Sequence, residues 1–243
     1  MKVVTIIQAR MGSTRLPGKV MLDLCGETVL ARVVQRVRRS RLAGEVVVAT
    51  TTKPADDRVG EECQRMAVKV FRGSESDVLD RYYNAAKLFR ADAIVRICSD
   101  CPLTDPEIID QTIQSFLAAQ ADYASNALDR TYPRGLDTEV MTQQALARCW
   151  REARAFYQRS HVTPYIYENP DQFRIARVRG DEDYSDYRWT LDTAEDLAFI
   201  RAVYARMEDK AGFSWLDVLR LLEQEPELME WNQHILQRAL HEG

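Results

Sequence analysis

A short β-branched run that opens straight into a glycine-bearing, cationic loop constrains this chain more than any other feature. Val3-Val4-Thr5-Ile6-Ile7 has the length and composition of a buried strand. It leads at once into Gln8-Ala9-Arg10-Met11-Gly12-Ser13-Thr14-Arg15-Leu16-Pro17-Gly18-Lys19-Val20-Met21. Gly12 and Gly18 let the backbone approach a bulky anion, Pro17 stiffens the loop, and Arg10, Arg15 and Lys19 place three cations within ten residues. In an α/β fold, such a loop at the C-terminal end of a strand is where a phosphorylated ligand is held. It is not a Walker A loop, because five residues separate Gly12 from Gly18 and Val20 follows Lys19. The dinucleotide fingerprint G-x-G-x-x-G is absent too. Surface loops also carry Arg and Lys, but three cations beside a buried strand favour ligand binding.

Further strands are expected at 45–50, 68–71 and 93–97, with helices at 28–39, 56–66, 78–89 and 106–119 between them. Thr28 is placed to cap the first helix, and Ser74 or Ser76 the third. This alternation predicts an α/β fold with a mainly parallel sheet and helices on both faces, three layers in all. At 243 residues and 46% hydrophobic content the chain suits one large domain, 1–243. A net charge of −4 argues against general nucleic-acid or anionic-membrane binding, so phosphate must be held by a local cluster. The basic group Arg36, Arg38, Arg39 and Arg41 reads as a solvated face and last turn of its helix. No apolar run approaches a membrane span or a signal peptide, and five scattered cysteines suit reduced thiols; a cytoplasmic protein is expected.

The fourth strand runs into Cys98-Ser99-Asp100-Cys101-Pro102. A C-x-x-C pair suggests redox or thiolate-metal chemistry, but there is no second pair, and the next helix starts only near Pro106. Asp100 is the better candidate, since a carboxylate on a strand end facing a phosphate loop is a natural Mg²⁺ ligand. Residues 122–126 and 132–140 read as a polar hairpin, with Asn126, Arg134, Asp137 and Glu139 as candidate substrate contacts. A helix follows at 143–154. His161 suits either substrate binding or a structural role. After a strand at 173–178, Thr193 caps a long helix with Glu195 and Asp196 in its first turn, which leaves Asp192 unexplained. Residues 214–242 read as two amphipathic helices.

The opening stretch Q-A-R-M-G-S-T-R-L-P-G-K-V resembles the first motif of the cytidylyltransferases that make CMP-activated acid sugars, such as the 3-deoxy-manno-octulosonate and acylneuraminate enzymes. It is most similar to the branch of spore-coat polysaccharide biosynthesis proteins. The stretches Asp122-Tyr123-Ala124-Ser125-Asn126, Tyr132-Pro133-Arg134-Gly135-Leu136-Asp137-Thr138-Glu139-Val140 and Arg188-Trp189-Thr190-Leu191-Asp192-Thr193-Ala194-Glu195-Asp196-Leu197 resemble further elements of that branch. The branch usually has an acidic residue where Ser160 stands here. The resemblance implies the nucleotide-diphospho-sugar transferase fold and transfer of CMP from CTP to a hydroxyl of an acidic sugar. By the same resemblance Gln8, Ala9, Arg10, Gly12, Ser13, Arg15, Lys19, Arg72 and Ser74 contact nucleotide, while Asp100 and Asp192 hold Mg²⁺. Arg10, Arg15 and Lys19 neutralise the triphosphate, and Lys19 stabilises charge as it develops. Asn126, Arg134, Asp137, Glu139 and His161 face the sugar. A homodimer is implied, with residues 122–170 as the dimerisation and substrate section. Another nucleotide, a neutral sugar phosphate, or a non-catalytic nucleotide-binding role stays open.

Overall fold

The computed structural model describes residues 1–237. Its strands are β1 (Val3–Gln8), β2 (Glu45–Thr51), β3 (Lys69–Gly73), β4 (Ala93–Cys98), β5 (Tyr123–Ser125), β6 (Glu139–Thr142) and β7 (Ile175–Arg177). They form one sheet in the order β3-β2-β1-β4-β6-β5-β7. The first four run parallel, with β1 between β2 and β4, so the chain crosses from one side of β1 to the other. That reversal opens a crevice at the C-terminal ends of β1 and β4. The expected pairing within 122–140 is present as antiparallel β5–β6. The strand that joins β4 is β6, antiparallel, and β7 adds to β5 in parallel.

The helices are α1 (Val29–Val37), α2 (Asp57–Arg65), α3 (Val78–Leu88), α4 (Pro106–Ala118), α5 (Gln143–Glu152), α6 (Phe156–His161), α7 (Pro164–Tyr167), α8 (Ala194–Arg206) and α9 (Trp215–Gln224). Alternation along the strands sends Ile7, Val48 and Val95 against Val33, Val59 and Ile113 of α1, α2 and α4. Val4, Ile6, Val47 and Ile94 meet Leu79 and Tyr82 of α3, Leu146 of α5 and Ile166 of α7. Each fully buried aliphatic side chain contributes ~1.5–3 kcal/mol, which makes this sandwich the main source of stability. A third cluster packs Trp189 and Leu191 on Phe199, Ile200 and Val203 of α8 and Val218 and Leu222 of α9. That cluster anchors the loop carrying Asp192.

Local sequence signals set most boundaries. The Thr28 hydroxyl accepts from Ala31 N at 3.0 Å, and Thr193 and Asp196 cap α8 reciprocally. The α3 cap is Asp77, which accepts from Asp80 N; Ser74 sits one step earlier, accepting from Asp77 N. Arg36 corrects the solvated-face expectation. It is 1% exposed, donates to the carbonyls of Thr104 and Phe213 at 2.6 and 3.0 Å, and lies over the Phe213 ring. A second wall, built from a distant loop and the segment before α9, encloses this side of α1. The tail also differs from expectation: α9 is followed by a 3-10 turn, Pro226–Trp231, because proline cannot continue the helix. Residues 238–242 of that expected tail lie outside the described residues.

Candidate active site

A cleft of about 890 Å³ opens at the C-terminal ends of β1 and β4. The loop after β1 forms one wall and is tied down locally. Gly18 N donates to the Met11 carbonyl at 2.9 Å, and Met11 N donates to the buried carboxylate of Asp56 at 2.6 Å. Gly18 takes φ +70°, a left-handed conformation natural to glycine, and the turn it starts buries Lys19.

Lys19 joins three parts of the chain. Its ammonium donates to Asp100 Oδ2 at 2.8 Å, Asp192 Oδ1 at 2.8 Å and the Leu191 carbonyl at 2.7 Å. The two aspartates, 92 positions apart in sequence, meet because Leu191 N donates to the Asp100 carbonyl at 2.8 Å. Burial disfavours the charge on Lys19, yet Asp100 and Asp192 outweigh it and hold its pKa above the usual lysine value. Burial likewise opposes the Asp192 charge, and Lys19, Arg15 and Arg188 leave its pKa below the ordinary 3.8. Arg15 Nη2 lies 2.8 Å from Asp192. Behind them Arg188 donates twice to Asp196, at 2.9 Å each, and once to Asp192 at 3.3 Å. Asn232 then fixes Asp196 and the Arg188 carbonyl.

The described residues contain no group of three or more His, Cys, Asp or Glu side chains that could hold a metal. Asp100 and Asp192 form a pair, and they already share one cation, the Lys19 ammonium. Two carboxylates converging on one cation fit Mg²⁺, which keeps its remaining positions for water and substrate phosphates.

The opposite wall comes from residues 123–139 and 156–167. Gly135 brings it against the Asp192 loop. Its φ is +111°, and a Cβ there would stand 2.6 Å from the Trp189 carbonyl carbon. Trp189 N donates to the Arg134 carbonyl at 2.7 Å across this contact.

The sequence profile described as cytidylyltransferase matches residues 4–227. The chain belongs to the cytidylyltransferase family. It is 35% identical to the spore coat polysaccharide biosynthesis protein SpsF of Bacillus subtilis, over 93% of this chain and 95% of that one. A solved cytidylyltransferase from Leptospira borgpetersenii superposes with a TM-score of 0.92 at 38% identity, covering 98% of this chain and 100% of that one. The fold is also that of CMP:2-keto-3-deoxy-manno-octonic acid synthetase, solved with CTP. That match has a TM-score of 0.68 at 19% identity and covers 85% of this chain and 99% of that one.

This cytidylyltransferase brings many of the expected residues to one cleft. Gln8, Ala9, Arg10, Ser13, Arg15, Lys19, Asp100 and Asp192 line it on one side, and Arg134, Asp137, Glu139 and His161 on the other. Gly12, Arg72, Ser74 and Asn126 are not among the lining residues. Arg72 turns away, donating to the carbonyls of Thr51 and Lys53 and pairing with Asp57, because the end of β2, the loop after it and the start of α2 offer those acceptors. The Ser74 hydroxyl is used by the α3 N-terminus. A Cβ on Gly12 would meet the Glu75 carboxylate at 3.3 Å. Asn126 is a buried staple: its amide binds the Leu136 carbonyl and Thr138 N, both at 2.8 Å. Glu139 reaches the cleft from beneath, paired with Arg96 and accepting from the hydroxyl of Thr163 at 2.6 Å.

Sequence reading missed Arg81, Arg96, Arg130 and the Arg188–Asp196 frame. The R-W-T-x-D-T-x-E-D-L element contained Arg188 and Asp196, but helix capping accounted for Asp196 without any ion pair. The surroundings of Cys98 and Cys101 favour the protonated thiols. Burial pushes Cys98 up to about 12 and Cys101 well above its ordinary value.

Proposed function

We propose that this chain transfers CMP from CTP to a hydroxyl of an acidic, 3-deoxy-ulosonic-type sugar, releasing pyrophosphate. The observation that carries the proposal is the Lys19 ammonium set 2.8 Å from both Asp100 and Asp192 at the floor of the cleft. The sugar hydroxyl gives up its proton to water, its oxygen attacks the α-phosphorus to form the new O–P bond, and the bond to the β-phosphate breaks with its electrons leaving on pyrophosphate. Arg10 and Arg15 hold the triphosphate. Lys19 exchanges one carboxylate for an α-phosphate oxygen and donates where negative charge grows. Asp100 and Asp192 would hold Mg²⁺, which would supply positive charge and make the attacking hydroxyl more acidic. The Arg188–Asp196 pair keeps Asp192 oriented.

The acidic substrate is supported by charge in the other half of the cleft. Arg96 is matched by Glu139, and Arg130 by Asp137 at 2.8 Å. Arg134 is half-buried and, among the described residues, has no ion pair. Burial lowers its pKa, and Arg130 adds to the effect. A sugar carboxylate would supply the missing counter-charge, and Arg is suited to bind it through two parallel hydrogen bonds.

The test is pyrophosphate release with MgCl₂, CTP and a panel of ulosonic acids, with UTP and neutral sugar phosphates as controls. Release only with CTP and an acidic sugar is expected. Turnover restricted to neutral sugar phosphates would overturn the acidic-substrate reading, and no turnover with any pair would overturn the enzyme.

A further inference from the structure

Two buried polar atoms in the nucleotide half of the cleft, Arg81 Nε and Gln8 Oε1, lack hydrogen-bond partners among the described residues, and they sit on one face of the sheet. Arg81 of α3 is 2% exposed. Its Nη1 donates to the Ser74 carbonyl at 2.7 Å; among the described residues its buried Nε has no partner and the side chain has no ion pair. On β1 the Gln8 Oε1 is buried and, among the described residues, accepts no hydrogen bond. Gln8 points to the same face as Ile6, two residues earlier. Ile6 packs with Leu79 and Tyr82 of α3, and the Tyr82 hydroxyl donates to the Ile6 carbonyl at 3.1 Å. Both Arg81 and Gln8 line the cleft from this side.

A buried guanidinium without counter-charge and a buried carbonyl without a donor each destabilise the fold. Arg96, the other lining arginine with an unpartnered Nε, differs because Glu139 neutralises it. What Arg81 and Gln8 offer is one acceptor and two donors, the Nε and Nη2 edge of the guanidinium. The pairing edge of cytosine is the complement, with a 4-amino donor and two acceptors, N3 and O2. Uracil puts an N–H at N3, where it would face an arginine N–H. We propose that Arg81 and Gln8 read the cytosine base, Arg81 donating to N3 and O2 and Gln8 accepting from the 4-amino group. This rests on the CTP reading above and assigns base selection within it, in the place once expected of Arg72 and Ser74.

Titration calorimetry of CTP and UTP against the wild type, Arg81→Met, Arg81→Lys and Gln8→Leu tests the assignment, with thermal melts to check folding. The wild type should prefer CTP. Arg81→Met should lower CTP affinity about ten- to hundredfold and leave UTP nearly unchanged, the size of one two-point base contact. Arg81→Lys, which keeps the charge but not the fork, should also lose the preference. Gln8→Leu should narrow the CTP/UTP ratio about two- to tenfold, and this variant decides the matter if Arg81→Met does not fold. Equal losses for CTP and UTP in Arg81→Met, restored by Arg81→Lys, would make Arg81 a phosphate ligand and overturn the proposal. An unchanged ratio in the variants would overturn it as well. A wild type that binds no CTP would instead sink the cytidylyl-transfer reading itself.

Discussion

Replacing Lys19 by alanine separates the structural and chemical roles of one ammonium. Its three donors are all in use, on Asp100, Asp192 and the Leu191 carbonyl. After the change Asp192 keeps Arg15 at 2.8 Å and Arg188 at 3.3 Å, whereas Asp100 keeps no cation among the described residues. The Asp100 side chain is 29% exposed, so water screens part of the loss. Breaking a fully buried pair costs ~3–5 kcal/mol, and with this relief the expected destabilisation is ~2–3 kcal/mol. For a chain of this size that lowers the melting temperature by roughly 4–12 °C. Millimolar MgCl₂ should then restore much of the melting temperature of Lys19→Ala, because the two freed carboxylates can share a divalent ion. It should shift the wild type little, since its carboxylates already share the ammonium. Turnover should fall by ~10²–10³ in kcat and stay low at saturating Mg²⁺, because no donor remains where charge develops. Scanning calorimetry across a Mg²⁺ series, with steady-state rates on the same samples, makes the comparison. A variant melting within about 1 °C of wild type, with no larger response to Mg²⁺, would refute the claim that Lys19 holds the two carboxylates together.

Asp192→Asn keeps shape but removes one charge from the carboxylate pair, so activity should recover in part at high Mg²⁺; full activity at low Mg²⁺ would take Asp192 out of the site. Gly135→Ala must hold an alanine at φ +111° with its Cβ 2.6 Å from the Trp189 carbonyl carbon. It should destabilise by at least ~1–3 kcal/mol, and a circular-dichroism melt equal to wild type would contradict the close contact. Because burial pushes Cys98 up to about 12, the thiol stays protonated well above neutral pH. Iodoacetamide at pH 8 should leave Cys98 and Cys101 unmodified in the folded protein, and rapid alkylation of either would revive thiolate chemistry. We also propose a homodimer joined through residues 122–170. Light scattering that gives only the monomer mass at micromolar concentration would count against it.

Some of this molecule is determined by the sequence alone, because the signals are local. The β-branched runs at β1, β2 and β4 mark buried strands, and Thr28 and Thr193 mark helix starts through bonds to residues three positions on. The glycine-bearing cationic loop follows β1 and the Asp100 turn follows β4, so their placement at strand ends was legible before any fold, and the Asp192 element was legible as the entry to α8. Other features required the tertiary structure. Periodicity shows which side of α1 is apolar, but not that a loop and the segment before α9 would bury Arg36 on another side. Composition shows 33 Lys and Arg against 37 Asp and Glu, but which carboxylate each cation meets depends on separations in space. Arg72 meets Asp57 beside its own strand and leaves the cleft, while Arg188 meets Asp196 and stays behind Asp192. Arg81 looks like an ordinary helix residue until α3 docks on the sheet and removes it from water. A buried charge or an unmet hydrogen bond is a property of the packed chain, because only packing takes away the solvent that satisfies such groups elsewhere.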